Sequence, residues 1–379
     1  MRRLLPLLCG LLLAACGQRA ARPIGDFTLP VYTPRYASGF EITGAAGSRS
    51  TLVTVHNPWY GDEVTDQYLF IARDGEPAPA GFEGQVLRDE ARRVVCMSGS
   101  YIAMLDALGA ADRVVGVSGA QYLINETLRR RIARGEAADV GFDSNVDFER
   151  LMALRPDLVM LFGIGGADTA LTGKLRELGI PYLYMGEHCE ESPLGKSEWV
   201  VVAAEIAGLR TEGSRLFAAI PERYERLRAL AQQTAARPRV MLNTPYRDTW
   251  FMPARNSYMV RLLEDAGARY VFEENTATQT LPIDIEQAYY LTSKSDFWLN
   301  VSGCNTLDEV RRQNPRLADT PPVREGRVYD NNRRRNAAGG SDFWESGVLR
   351  PDRVLADLVH IFHPELSETD ELYYYRQLE

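Results

Sequence analysis

The chain has 379 residues, 45% of them hydrophobic, and a formal net charge of −8, which is length enough for about two domains with real cores and an appendage. An acidic chain of this kind is a poor partner for nucleic acid, whose phosphates select basic surfaces. Five cysteines with no Cys-x-x-Cys spacing leave a zinc site unsupported.

Arg2 and Arg3 open the sequence, followed by an apolar run from Leu4 to Leu13 interrupted by Pro6, Cys9 and Gly10. A bilayer span needs roughly 20 apolar residues, so this run is too short for one and reads as a signal peptide over residues 1–15. It ends Leu13-Ala14-Ala15-Cys16, which resembles a lipobox, where the cysteine is acylated and becomes the new N-terminus. The expectation is an exported lipoprotein anchored through Cys16, with residues 16–25 as lipid anchor and tether. An ordinary cleaved leader and a buried apolar strand are the alternatives. Cys96, Cys189 and Cys304 then remain, an odd number in an oxidising compartment. One pair bridges, or all three are small buried residues.

Residues 26–90 read as a β-rich appendage. Phe40-Glu41-Ile42, Thr51 to Val55 and Tyr68 to Ile71 have strand character, separated by turn signals at Gly44, Asn57-Pro58, Gly61-Asp62 and Asp74-Gly75. From Arg92 strands alternate with helices, the pattern of a parallel sheet. Val94-Val95-Cys96, Arg113 to Val117, Asp157 to Phe162 and Tyr182 to Met185 are the strands of a first α/β lobe, residues 91–196. Gly109 stops the helix from Ile102 to Leu108, and Asp147 caps a short one through Leu154. Residues 197–236 carry helix signals only, divided by Gly208 and with Pro221 as an expected kink. Alternation resumes at Arg239 to Asn243 and continues through a second lobe, residues 237–379. The fold class is therefore α/β: two α/β lobes joined by a long linking helix, with an N-terminal β-rich appendage. The lobes also look like distant copies: Val146-Asp147-Phe148-Glu149 followed by Asp157 and a strand, and Ile283-Asp284-Ile285-Glu286 followed by Asp296 and a strand.

The stretch Asn145-Val-Asp-Phe-Glu-Arg-Leu-Met-Ala-Leu-Arg-Pro-Asp-Leu-Val159 carries a wider likeness. Val94 to Gly109, Val114-Val-Gly-Val117 and Ser192-Pro-Leu-Gly-Lys-Ser-Glu-Trp199 belong to it, as do Gly326-Arg-Val-Tyr329 and Phe343-Trp-Glu-Ser-Gly-Val-Leu-Arg-Pro351. Over roughly residues 92–365 the chain resembles the class III, helical-backbone substrate-binding lipoproteins of ABC importers for ferric siderophores, haem and cobalamin. The resemblance implies two lobes bridged by a helix, a ligand clamped between them, an ABC permease as partner, and no cofactor beyond the transported iron chelate, haem or corrinoid. It further implies that one acidic residue per lobe docks on the permease, and Glu149 and Glu286 match those positions. Relatives that take bare zinc or manganese use several cleft histidines. Here only His188, of His56, His188, His360 and His363, falls in an expected cleft loop. A bare-metal site is not expected, and His188 is a weak candidate for an open iron or cobalt position. A monomer is expected.

Ligands in open α/β lobes meet the loops at the carboxyl ends of strands. In the first lobe these loops offer Met97, Ser98 and Tyr101, then Tyr122, Phe142, Gly163-Ile164-Gly165 and Glu187-His188-Cys189. In the second they offer Tyr246, Arg247, Trp250, Phe251, Gly303-Cys304, Arg333 to Arg335 and Trp344. Aromatic rings supply large rigid area to a bulky chelate. Arg247, Arg333 and Arg335 are candidates to offset carboxylate or catecholate charge. For each ring the competing reading is packing in a lobe core, and for the arginines a solvated loop. No Gly-x-Ser-x-Gly, phosphate loop or general-acid pair is present, so an enzyme is not expected. An exported chelate-processing enzyme on the same scaffold is the rival, and a cobalamin carrier the alternative within the family.

Overall fold

The computed structural model describes residues 21–60, 64–163, 166, 169–247, 249–367 and 371–379. The leader and Cys16 lie outside the described residues, as do Ile164 and Gly165 of the expected cleft loops. Among the described residues no helix is long and apolar enough to cross a membrane.

The first sheet follows sequence order through β1 (Leu29–Tyr32), β2 (Phe40–Gly44), β3 (Thr51–His56), β4 (Asp66–Ala72) and β5 (Gln85–Arg88). Strands β1 to β4 pair antiparallel and β5 joins β4 in parallel. On β2, Phe40 and Ile42 point inward and Glu41 outward, the alternation of a sheet with one buried face. Strand β1 shows no such pattern because it is an edge, exposing Leu29 and carrying Pro30 where no ladder donor is needed.

The second sheet has β6 (Val94–Cys96) at its centre, flanked by β7 (Val114–Val117) and β8 (Ala138–Asp139) on one side and β9 (Leu158–Phe162) and β10 (Tyr182–Met185) on the other. Every pairing is parallel, and β6, β7 and β10 are buried along their whole length, as unbroken apolar runs require when helices cover both faces. The third sheet repeats the plan with β11 (Arg239–Leu242), β13 (Arg269–Tyr270), β15 (Phe297–Leu299) and β16 (Val328–Asp330) in parallel, closed by an antiparallel edge strand β17 (Arg376–Gln377). A separate antiparallel pair, β12 (Trp250–Met252) with β14 (Leu281–Ile283), stands beside it.

The copies seen in sequence have a common physical job. Asp147 accepts the N–H of Arg150 at 2.9 Å and Asp284 that of Gln287 at 2.8 Å, each capping its helix. Asp157 accepts the N–H groups of Arg92 and Arg93, and Asp296 that of Arg239. In both lobes one carboxylate thus holds the chain where it enters the lobe's first strand.

Between the lobes run the helices Pro193–Glu198, Val200–Ile206 and Arg210–Ala231. Gly208 separates the last two at φ +67, a left-handed conformation that glycine adopts without strain. The 22-residue helix extends about 33 Å at 1.5 Å per residue, and Pro221 sits inside it without ending it.

Three buried glutamates tie the first sheet to these helices. Glu198 accepts the Tyr32 hydroxyl at 2.7 Å and the N–H groups of Arg35, Tyr36 and Ala37 at 2.7–2.8 Å. Glu190 accepts from Ser38, Gly39 and the Trp199 indole. Glu205 takes the Thr51 hydroxyl and pairs with Arg73 and Arg210. Phe40 packs edge-on against Trp199 at 5.1 Å, so a single apolar cluster runs from Ile42 through Trp199 and Tyr224 to Trp298.

Candidate ligand-binding cleft

At the carboxyl end of β6, Ser98 caps the helix Gly99–Ala107 by accepting the N–H of Ser100. At the end of β7, Gly119 takes φ +66 and turns the chain so that Tyr122 approaches Phe142, their ring centroids 6.3 Å apart. Both rings are exposed, at 45% and 43%. From the second lobe the loop after β16 brings Gly340, Ser341 and Trp344 to the same place. With Ser98, Ser118 and Tyr122 they line a pocket of about 280 Å³ between the lobes, near the lower end of small-molecule sites.

One side of this pocket is closed by direct contact between lobes. Asn336 donates from Nδ2 to the carbonyls of Gln121 and Leu123 at 2.9 and 3.1 Å. Glu345 accepts the N–H groups of Ile124 and Asn125 at 2.7 and 2.9 Å. A Cβ on Gly340 would lie 1.7 Å from the Tyr122 carbonyl oxygen, and one on Gly99 2.7 Å from Cγ of Glu345. Only glycine permits either approach. Burial pushes the Glu345 carboxyl up to about 7, with the two N–H donors pulling the other way.

The structure gathers Ser98, Tyr122 and Trp344 at the pocket, with Phe142 packed beside Tyr122. It corrects three other candidates. Tyr101 is fully buried, its hydroxyl donating to the Leu161 carbonyl at 3.2 Å. Trp250 is 1% exposed, stacks on Trp298 at 5.6 Å and donates its indole N–H to Leu242. Met97 is buried in the apolar cluster under β7, β9 and β10. None of the three offers surface to a ligand, because each side chain already fills a core position and the polar tips of Tyr101 and Trp250 are satisfied.

Phe251, the outward neighbour of Trp250 on β12, is exposed, as are Tyr246 and Arg247 in the preceding turn. They stand on the second lobe away from the pocket lining, with Arg247 over the Tyr246 ring at 5.4 Å. Arg333 pairs with Glu371 at 3.0 Å and Arg334 with Asp342 at 2.6 Å. Arg335 is exposed, its backbone bridged to Ser341.

His188 does not face the cleft with an open nitrogen. Its Nε2 lies 2.8 Å from the Gly163 carbonyl, Nδ1 is buried, and the ring rests on Phe162 at 4.3 Å. Burial pushes its pKa down to about 4, leaving a neutral, inward-facing imidazole. No group of three or more metal-ligating side chains occurs among the described residues. Cys96, Cys189 and Cys304 are free thiols, with Cys96 and Cys304 buried, which matches the small-buried-residue alternative for these two.

Two aromatics went unnoticed in the sequence. The loop after β3 brings Trp59 edge-on to Tyr184 at 5.3 Å, and the Tyr60 hydroxyl donates to the His188 carbonyl at 2.7 Å. Tyr60 is 68% exposed, so the first sheet adds an aromatic to the rim beyond β10. The available signal is the cluster Asn57-Pro58-Trp59-Tyr60, whose turn character masks its two rings. Glu149 and Glu286 both lie exposed in the first turns of their helices. Neither lines the pocket.

The sequence pattern of a family described as periplasmic binding protein matches residues 94–333, more than half of the chain. An uncharacterized lipoprotein of Methanocaldococcus jannaschii is 25% identical over 332 residues, covering 82% of this chain and 77% of its own. Among solved structures, a periplasmic haem-binding protein from Pseudomonas aeruginosa superposes with a TM-score of 0.58 at 19% identity, covering 76% of this chain and 98% of the other. An Fe3+-hydroxamate transport protein from Saccharomonospora viridis gives 0.54 at 17% identity, covering 72% and 94%. These two similarities establish the shared two-lobe architecture.

Proposed function

The chain belongs to the periplasmic binding protein family, and from that premise we propose that it captures a metal chelate between its lobes and delivers it to the permease of an ABC importer. The family binds solutes and does not transform them, which sets aside the enzyme rival. The observation that carries the reading is the interlobe pocket at the carboxyl ends of β6 and β7, where Tyr122 and Trp344 keep exposed rings instead of packing into a core. Exposed rings at a lobe junction suit a bulky chelate: an iron siderophore, haem or, as the alternative, a corrinoid. The related lipoprotein supports an acylated Cys16 that anchors this chain to a membrane, facing the periplasm or the cell exterior. Changing Cys16 to Ala should move the protein from the detergent phase to the aqueous phase; unchanged partitioning refutes the anchor.

Binding should quench tryptophan emission, Trp344 being the exposed indole beside the pocket. Trp344→Ala should remove most of the quenching and weaken affinity about tenfold, the value of roughly one good aromatic contact. If ferric siderophore, haem and cobalamin all leave the emission unchanged, the reading fails. Glu149 and Glu286, exposed on matching helices, are the proposed permease contacts.

A further inference from the structure

The pocket has a charge character that the sequence concealed. Ser98, Ser118, Tyr122, Ser341 and Trp344 line it with neutral groups, and among the described lining residues the only carboxylate is Glu345 and none is a cation. Two of the arginines nearest in sequence are engaged within their own lobe. Arg333 faces Glu371, and Arg334 faces Asp342 while its guanidinium lies 4.6 Å over the Tyr373 ring. Arg335 is exposed and does not line the pocket. Arg129 does not line the pocket, and Arg247 sits over the Tyr246 ring outside it.

Resting on the cleft reading above, we propose that the cargo is a neutral or cationic chelate, of the ferric hydroxamate or corrinoid class, and not an anionic one. Haem propionates or a tris-catecholate would bring uncompensated negative charge into a partly buried site. Such groups are ordinarily met by guanidinium forks or ammonium groups, and a buried charge without a partner is strongly disfavoured. The hydroxyls of Ser118 and Tyr122 in the lining instead offer neutral hydrogen bonding, which suits hydroxamate or amide oxygens. Glu345 spends one lone pair of each oxygen on the Ile124 and Asn125 amides. A carboxylate has about four acceptor sites, so capacity remains to meet a cationic or N–H-bearing ligand. The formal net charge of −8 acts in the same direction at long range, repelling anions during encounter.

The test is a binding series on the detergent-solubilised full chain, read by tryptophan emission and checked by ultrafiltration with metal analysis. The probes are ferrioxamine B (cationic), ferrichrome and cyanocobalamin (neutral), and ferric enterobactin and haem (anionic). At least one cationic or neutral probe should bind about tenfold or more tighter than either anion. In Glu345→Gln any advantage of ferrioxamine B over ferrichrome should shrink several-fold, and should that variant unfold, the wild-type ranking decides by itself. Tightest binding by an anionic probe overturns the proposal and leaves the cleft reading standing. Binding by none of the five overturns both.

Discussion

Reversing Glu149 and Glu286 to arginine together is expected to abolish chelate uptake while leaving chelate affinity unchanged. Both carboxylates are exposed in the first turn of a helix capped by an aspartate, Asp147 in one lobe and Asp284 in the other. Asp157 and Asp296 anchor the first strand of each lobe in the same way, so the two glutamates occupy equivalent places on two copies of one plan. A first-turn glutamate also complements the helix dipole, worth about 0.3–1 kcal/mol. That accounts for either residue separately but gives no reason for the match. Glu286 has a partner in its own lobe, Arg316 at 3.7 Å, yet both side chains are largely exposed and such a pair contributes little; exchanging it for a permease arginine is not opposed. Charges at a docking rim act on association, so each single reversal should reduce uptake and the double one should take it below about a tenth. Cellular uptake of a labelled chelate measures the first effect, and titration of the purified variant the second. Normal transport by the double variant refutes the assignment, and so does lost chelate binding with the fold intact.

Glu198→Ala should destabilise the protein by about 3–5 kcal/mol, because it strands three amides at once. The carboxylate receives the Tyr32 hydroxyl and the N–H groups of Arg35, Tyr36 and Ala37, and Glu198 is fully buried. Alanine offers no acceptor to any of these donors. The damage should appear where the first sheet meets the helices: amides of residues 35–37 should exchange faster, and proteases should cut the segment between β1 and β2. The Glu198→Gln variant, whose side chain keeps a single carbonyl oxygen, should recover part of the loss. Denaturant unfolding of wild type, Glu198→Ala and Glu198→Gln measures the order, and a loss under about 1 kcal/mol for alanine would show that the sheet is held by its apolar face.

Much of the fold was legible because its signals are local. Val94 to Cys96 and Tyr182 to Met185 announce buried parallel strands by being apolar throughout, and Gly109, Gly208, Asp147 and Asp284 mark helix ends through backbone conformations and caps set within a few residues. The repeat was readable for the same reason, since each copy spans a short run. Strands β1 and β5 were missed, being short edge strands without the full alternation of β2.

The cleft was legible only as a set of loops, and burial decided which members reach a ligand. Trp250 and Phe251 are neighbours on β12, and the pleat sends one into the core and the other to solvent; Tyr101, one helical turn after Ser98, is turned inward. Composition can place an aromatic in a loop, but which face it presents depends on partners such as Trp298 and Leu161. Charge followed the same rule. Three consecutive arginines suggest an anion site, yet Arg333 is met by Glu371 and Arg334 by Asp342, pairings made only in the folded chain. Glu345, in the pocket lining, meets Ile124 across 221 positions, and Glu198, which ties the first sheet, meets Tyr32 across 166. The sequence by itself determined the buried central strands, the helix caps and the twin-lobe plan, since a few adjacent residues set those energies. Tertiary structure decided pocket lining, charge and the tie of the first sheet, since each depends on burial and on pairing partners that no local pattern encodes.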